Sequence, residues 1–129
     1  MKAAGIFGAN YELVLRILES DPSQARYVSR DDCTPLSMLC RYPDVPDHVV
    51  LALIEANPKA LTLKGSMFKS TPLGVGCEHG VTPSVIEIMV KANPDTLELK
   101  DGRGLTPLEI AHRHGHAQIV RLLKQMAQI

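Results

Sequence analysis

The tripeptide Thr-Pro-Leu stands three times in this chain, at Thr34-Pro35-Leu36, Thr71-Pro72-Leu73 and Thr106-Pro107-Leu108. Steps of 37 and 35 residues between copies are those of a structural repeat, which restricts the chain to architectures built by stacking one unit on the next. Each copy leads to an apolar run: Val49-Val50-Leu51-Ala52-Leu53-Ile54, Val85-Ile86-Glu87-Ile88-Met89-Val90 and Ile119-Val120-Arg121-Leu122-Leu123. Two runs end on the same stop, Ala56-Asn57-Pro58 and Ala92-Asn93-Pro94, after which Leu61 and Leu63, then Leu97 and Leu99, alternate with polar residues. The N-terminal stretch carries the second half alone, Val14-Leu15-Arg16-Ile17-Leu18 followed by Ser20-Asp21-Pro22. The pattern gives four units, over about 1–29, 30–66, 67–101 and 102–129, in one domain.

Each recurring residue has a mechanical use. Threonine caps a helix by accepting from an otherwise orphan backbone donor. Proline in the first turn loses nothing by its missing N–H. Thr106 and Glu109 have the spacing of a capping box. Gly80 and Gly115 fall where the first helix of a unit must stop, because glycine takes the left-handed conformation cheaply. Asn-Pro and Asp-Pro end the second helix, since the residue before proline is pushed out of helical geometry. Asp101-Gly102-Arg103-Gly104 reads as a turn. The unit is therefore helix, tight turn, helix, projecting loop. Such short helices cannot bury an apolar face alone, so the units must stack into an all-α solenoid.

The run from Asp101 through Thr106-Pro107-Leu108, Ala111, Gly115-His116 and Ile119-Val120 resembles an ankyrin repeat, and the register of the other Thr-Pro-Leu copies extends the resemblance along the chain. It implies an ankyrin-type helix-turn-helix-loop solenoid with short projecting loops or hairpins. The departures are local. Residues inserted between first and second helices fall in Arg41–Asp47 and Gly80–Pro83, which read as loops. The loop Lys64–Ser70 lacks the Asp and Gly of the family's turn. Ser37, Gly74 and Glu109 replace the histidine that usually follows the tripeptide.

Lys plus Arg equals Asp plus Glu, 14 of each, so no bulk field draws the chain to nucleic acid or anionic lipid. Three cysteines without framework spacing point to a reducing, intracellular setting, with the cytoplasm expected and the nucleus as the alternative. The N-terminus is too short and too polar for a signal peptide or a membrane span.

Catalytic and metal chemistry finds little purchase. His112 and His116 have a zinc-helix spacing, but Gly115 should end the helix between them. Cys40, Cys77 and His112 each lie six residues after their threonine. Neighbouring helices stand about 8–10 Å apart, whereas zinc ligands lie about 2.0–2.3 Å from the ion. These residues therefore read as small packing residues, and Cys33, beside a loop, as the more exposed thiol. Ser37 and Ser70 have no nucleophile-elbow context, and Cys77-Glu78-His79 is too local for a dyad. Gly74-Val75-Gly76 lies inside an expected helix, not in a phosphate loop. The expectation is a non-enzyme with no cofactor, no metal and no small-molecule substrate.

The resemblance instead implies a protein partner bound on the concave surface of loop tips and first helices. The family's contact positions fall on Arg30, Asp31, Arg41 and Tyr42, then Met67, Phe68, Glu78 and His79, then Arg103, Arg113 and His114. Tyr and Arg often anchor interfaces. Met67-Phe68, two large apolar residues in a polar loop, either face a partner or fold back onto the stack. The expected function is a scaffold or adaptor, with a regulatory or inhibitory domain that blocks its partner as the alternative and a His/Cys metal-binding protein third. A chain that begins mid-unit, with Leu123, Met126 and Ile129 in its last helix, reads as part of a longer array.

Overall fold

A computed structural model describes residues 11–28, 32–65 and 68–127. They form α1 (Tyr11–Ser20), α2 (Pro35–Leu39), α3 (Asp47–Ala56), α4 (Pro72–His79), α5 (Pro83–Ala92), α6 (Pro107–Arg113) and α7 (Ala117–Ala127). No strand occurs among the described residues. First helices pack on first helices, α2 on α4 and α4 on α6, and second helices do the same from α1 through α3 and α5 to α7. The result is the all-helical stack expected. No helix among the described residues is long and apolar enough to cross a membrane.

The caps explain where the helices begin. Thr34, Thr71 and Thr106 each accept from the backbone N–H three residues on, at 3.3 Å, with proline in the first turn. Thr106 and Glu109 complete the capping box, the Glu109 carboxylate accepting from the Thr106 amide at 2.9 Å. Thr82 caps α5 in the same way, so Pro83 opens a helix and does not belong to the preceding loop. Asp47 likewise opens α3, and its carboxylate accepts from the Ser84 hydroxyl at the start of α5. Neighbouring second helices are thus joined at their N-terminal ends.

The alternating leucines after each proline do not form extended strands. Pro22–Arg26, Pro58–Thr62 and Pro94–Glu98 coil as 3-10 turns, which bury Ala25, Ala60 with Leu61, and Thr96. Buried Asn57 crosses between units, its amide donating to the Ala25 carbonyl at 3.3 Å.

The core runs continuously along the stack. Leu36 and Leu73, then Val49 and Val85, then Leu53 and Met89 occupy equivalent places and are fully buried in both internal units. Each such side chain contributes about 1.5–3 kcal/mol of burial free energy. Cys40 and Cys77 belong to this core, their sulfurs fully enclosed, with Cys40 Sγ 3.9 Å from Met89 Sδ. Cys33 is buried too, contrary to the exposure expected of a loop thiol. It precedes the cap residue Thr34 and points inward, with the Arg41 guanidinium 3.6 Å from its sulfur.

Gly80 ends α4 with φ +76°, and Gly115 stops the chain after α6 with φ +75°. The two differ in their surroundings. A Cβ on Gly80 would stand 2.6 Å from the His116 ring, whereas one on Gly115 would meet nothing within 4 Å. Both alanine variants carry the left-handed penalty of about 1–2 kcal/mol. Gly80→Ala adds a clash of about 1–3 kcal/mol. Urea unfolding should therefore place Gly80→Ala well below Gly115→Ala in stability; equal losses would mean that the His116 contact carries no weight.

Candidate functional site

The loop before α6 is organised by one carboxylate. Asp101 is buried and its Oδ1 accepts from the amides of Arg103 at 2.8 Å and Leu105 at 3.0 Å. Its Oδ2 accepts from Arg103 Nε at 2.9 Å and Nη2 at 2.7 Å. Burial raises the affinity of Asp101 for a proton, but the Leu105 amide and the Arg103 groups outweigh it and hold the carboxyl below the usual range. The Asp101 amide donates to the Leu105 carbonyl at 2.9 Å, closing the turn.

Arg103, so anchored, bridges to the preceding unit. Its guanidinium lies 4.1 Å from the centre of the Phe68 ring and 3.4 Å from Glu78 Oε1 on α4. A cation over an aromatic face attracts the ring's quadrupole. The Gly102 amide donates to the Phe68 carbonyl, so backbone and side chain join the same two loops. Phe68 remains 45% exposed. It neither folds into the stack nor stands free; one ring face is covered by Arg103.

Phe68 and Lys69 have φ of +57° and +51°, and Asp32 has +57°. Asp32, Lys69 and Gly104 all stand two residues before a capping threonine, and Gly104 also has positive φ, +82°. The turn thus keeps its left-handed position where the sequence has no glycine. Non-glycine residues there store about 1–3 kcal/mol each, sustained by the surrounding contacts.

Arg41, Phe68, Glu78 and His79 line one cleft between α2 and α4, with Ser37 and Ser70 at its floor. Arg103 adjoins it through Phe68 and Glu78. Tyr42 packs half-buried against the core in the turn after α2, where the Tyr11 hydroxyl donates to Asp44 at 2.9 Å. Arg113 lies one unit further on, in a cleft with Leu108, Val120 and Lys124, and His114 stacks on His116 with centroids 6.4 Å apart. Arg30, Asp31 and Met67 lie outside the described residues. The turn at Asp101-Gly102-Arg103-Gly104 forms as the sequence indicates; what the sequence did not reveal is that Asp101 holds Arg103 in place against Phe68 and Glu78.

The histidines divide by role. His116 Nε2 is 3.0 Å from the Glu78 carbonyl, to which it donates, tying α7 to the end of α4. His112 is exposed at the end of α6. Among the described residues no group of three His, Cys, Asp or Glu is placed to hold a metal ion. Burial pushes the Cys40 thiol up to about 12 and the Cys77 thiol higher still, so both stay protonated.

Paired antiparallel helices stacked in register, with loops linked by Asp101 and Arg103, define a helical-repeat solenoid. Residues 103–129 match the sequence profile of the ankyrin repeat, and the all-helical architecture of the rest is consistent with that repeat. No curated protein matches the chain. The ankyrin repeat is generally an interaction domain.

Asp101 binds its proton less tightly in the folded state than in the unfolded chain. Its contribution is therefore complete above pH of about 4 and fades as the pH falls from there through the folded-state value. Asp101→Asn should cost about 1.5–3 kcal/mol at neutral pH in urea unfolding. The gap between variant and wild type should narrow towards pH of about 3; a gap independent of pH would show that charge on Asp101 is immaterial.

Proposed function

We propose that this protein is an interaction module that holds a partner protein along its loop tips and first helices. The observation that carries the reading is the cluster of Arg41, Phe68, Glu78, His79 and Arg103. An exposed aromatic ring is fixed by a cation in a positive-φ loop, beside Arg41 in the turn after α2 and Glu78 on α4. Rigid aromatic and arginine anchors of this kind contribute most to protein interfaces. The loop strain is spent holding Phe68 outward, where it has no role in the core. Arg113 and His114 extend the same row of positions one unit further, and Arg30, Asp31 and Met67 extend it at the loops in sequence. Scaffold, adaptor and blocking inhibitor all use such a surface in the same physical way, and differ only in what the partner does next.

The test is affinity capture from host lysate with the intact chain and with an Arg41→Glu, Phe68→Ser variant, both checked for helicity by circular dichroism. A partner held by the intact chain should be lost, or weakened by roughly thirtyfold as expected for an anchor worth about 2 kcal/mol. Capture of the same partner with equal strength by both chains would sink the reading.

A further inference from the structure

The last helix pair departs from the internal ones at the places where a stacked neighbour would sit. Ser37 and Gly74 are buried; the equivalent residue in the last unit is Glu109, exposed. Cys40 and Cys77 are buried; their equivalent is His112, exposed. Ile54 and Val90 are buried; their equivalent is Lys124, exposed. Another unit of the same pattern packed on this face would have to bury three polar side chains, which is unfavourable unless each finds a partner. Two apolar positions persist: Leu108 and Val120 are half-buried, whereas Leu36, Leu73, Val50 and Ile86 at the same places are fully buried. Leu108, Glu109, His112, Arg113, Val120 and Lys124 together line an open cleft.

Cations outnumber acids on this cleft, Arg113 and Lys124 against Glu109, and along the end that carries it. Residues 102–129 carry four Lys and Arg against one acid, while residues 30–101 carry seven against ten. The balanced total therefore conceals a basic end. The one acid of that end, Glu109, is occupied by its own helix cap, accepting from the Thr106 amide and hydroxyl. Arg113 and Lys124 have no salt bridge among the described residues. The cleft thus has an apolar floor, two rim cations without a salt bridge, and one exposed carboxylate held by its own helix cap.

The geometry points to a second docking surface on the outer face of α6 and α7, which takes an acidic amphipathic helix of a partner protein. Leucines of that helix lie over Leu108 and Val120, and its carboxylates pair with Arg113 and Lys124. Helix-in-groove recognition requires an apolar stripe at i, i+3, i+4 and i+7, and charge complementarity fixes its orientation and partner choice. This surface is separate from the Arg41–Phe68 cleft, and the inference stands whether or not that cleft binds a partner.

The test uses the full chain and two synthetic peptides of about 18 residues, long enough for a stable amphipathic face. Both carry leucine at helical spacing; one is flanked by glutamates, the other by lysines. Fluorescence anisotropy should show the glutamate peptide binding at least tenfold more tightly than the lysine peptide, and weakening as salt rises. Arg113→Glu with Lys124→Glu should abolish that preference. Arg113→Gln with Lys124→Gln, which adds no repulsion, should reduce it, and far-UV circular dichroism checks that both remain folded. Arg41→Glu with Phe68→Ser should leave it unchanged. Absence of glutamate-peptide binding would overturn the proposal and leave the face as a solvated end. Equal binding of both peptides, or binding indifferent to Arg113 and Lys124, would also overturn it. Loss in the Arg41, Phe68 variant would place the peptide on the concave cleft instead. Self-association abolished by the Arg113, Lys124 variants would make the occupant a second copy, again against the proposal.

Discussion

A five-residue helix such as α2 has barely more than one turn and cannot persist alone, because helix nucleation fixes several residues for a single hydrogen bond. Its existence depends on the helices packed beside it. That dependence governs the rest of the molecule. Leu36, Leu39 and Cys40 are buried by neighbouring elements, α4 among those packed on α2. Threonine caps and proline starts reduce the loss of freedom at each helix entry, but burial between units supplies the stabilisation. A stack held in this way has cooperative nearest-neighbour energetics, and the site surfaces inherit their rigidity from it.

Polar contacts between units add geometry to that packing. His116 donates to the Glu78 carbonyl, Ser84 to the Asp47 carboxylate and Asn57 to the Ala25 carbonyl. Each joins equivalent regions of adjacent units, and the side of the stack on which it falls differs. The Arg103 group does the same at the loop tips, with the difference that its ring partner stays half exposed. The contact that registers one loop on the next therefore also shapes the candidate binding surface. Substitutions at Arg103 would disturb both roles, which is why Arg41 and Phe68 are the better probes of binding.

Much of the fold was legible because it was written in residues with one dominant local use. Thr34, Thr71 and Thr106 read as caps, Gly80 and Gly115 as helix stops, and Asn57-Pro58 and Asn93-Pro94 as ends, and these are the boundaries observed. What was not legible depended on neighbours distant in sequence. Alternating leucines after proline suit an extended loop as well as a 3-10 turn; burial of Leu61 against the stack decides for the turn. Cys33 looked exposed because it sits beside a loop, and only the path of Arg41 back along α2 shows it enclosed. Phe68 was ambiguous because its partner, Arg103, belongs to the next repeat.

The ankyrin match falls on residues 103–129 although the architecture recurs further towards the N-terminus, and the cause is physical. The internal units carry longer turns, Arg41–Pro46 before α3 and the loop from Leu63 to Ser70 before α4. Loop-closure entropy grows only logarithmically with length, so these insertions cost little provided the helices still meet. They do meet: the Gly65 amide closes the longer loop on the Ser70 carbonyl at 3.0 Å, as Asp101 closes the shorter one on Leu105. The left-handed residue before the cap survives as Lys69 without its glycine. A loop free to lengthen and to tolerate strain is also free to present Phe68. The sequence resemblance is therefore weakest in the loop that carries the exposed anchor, and the packing that supports it is preserved beneath.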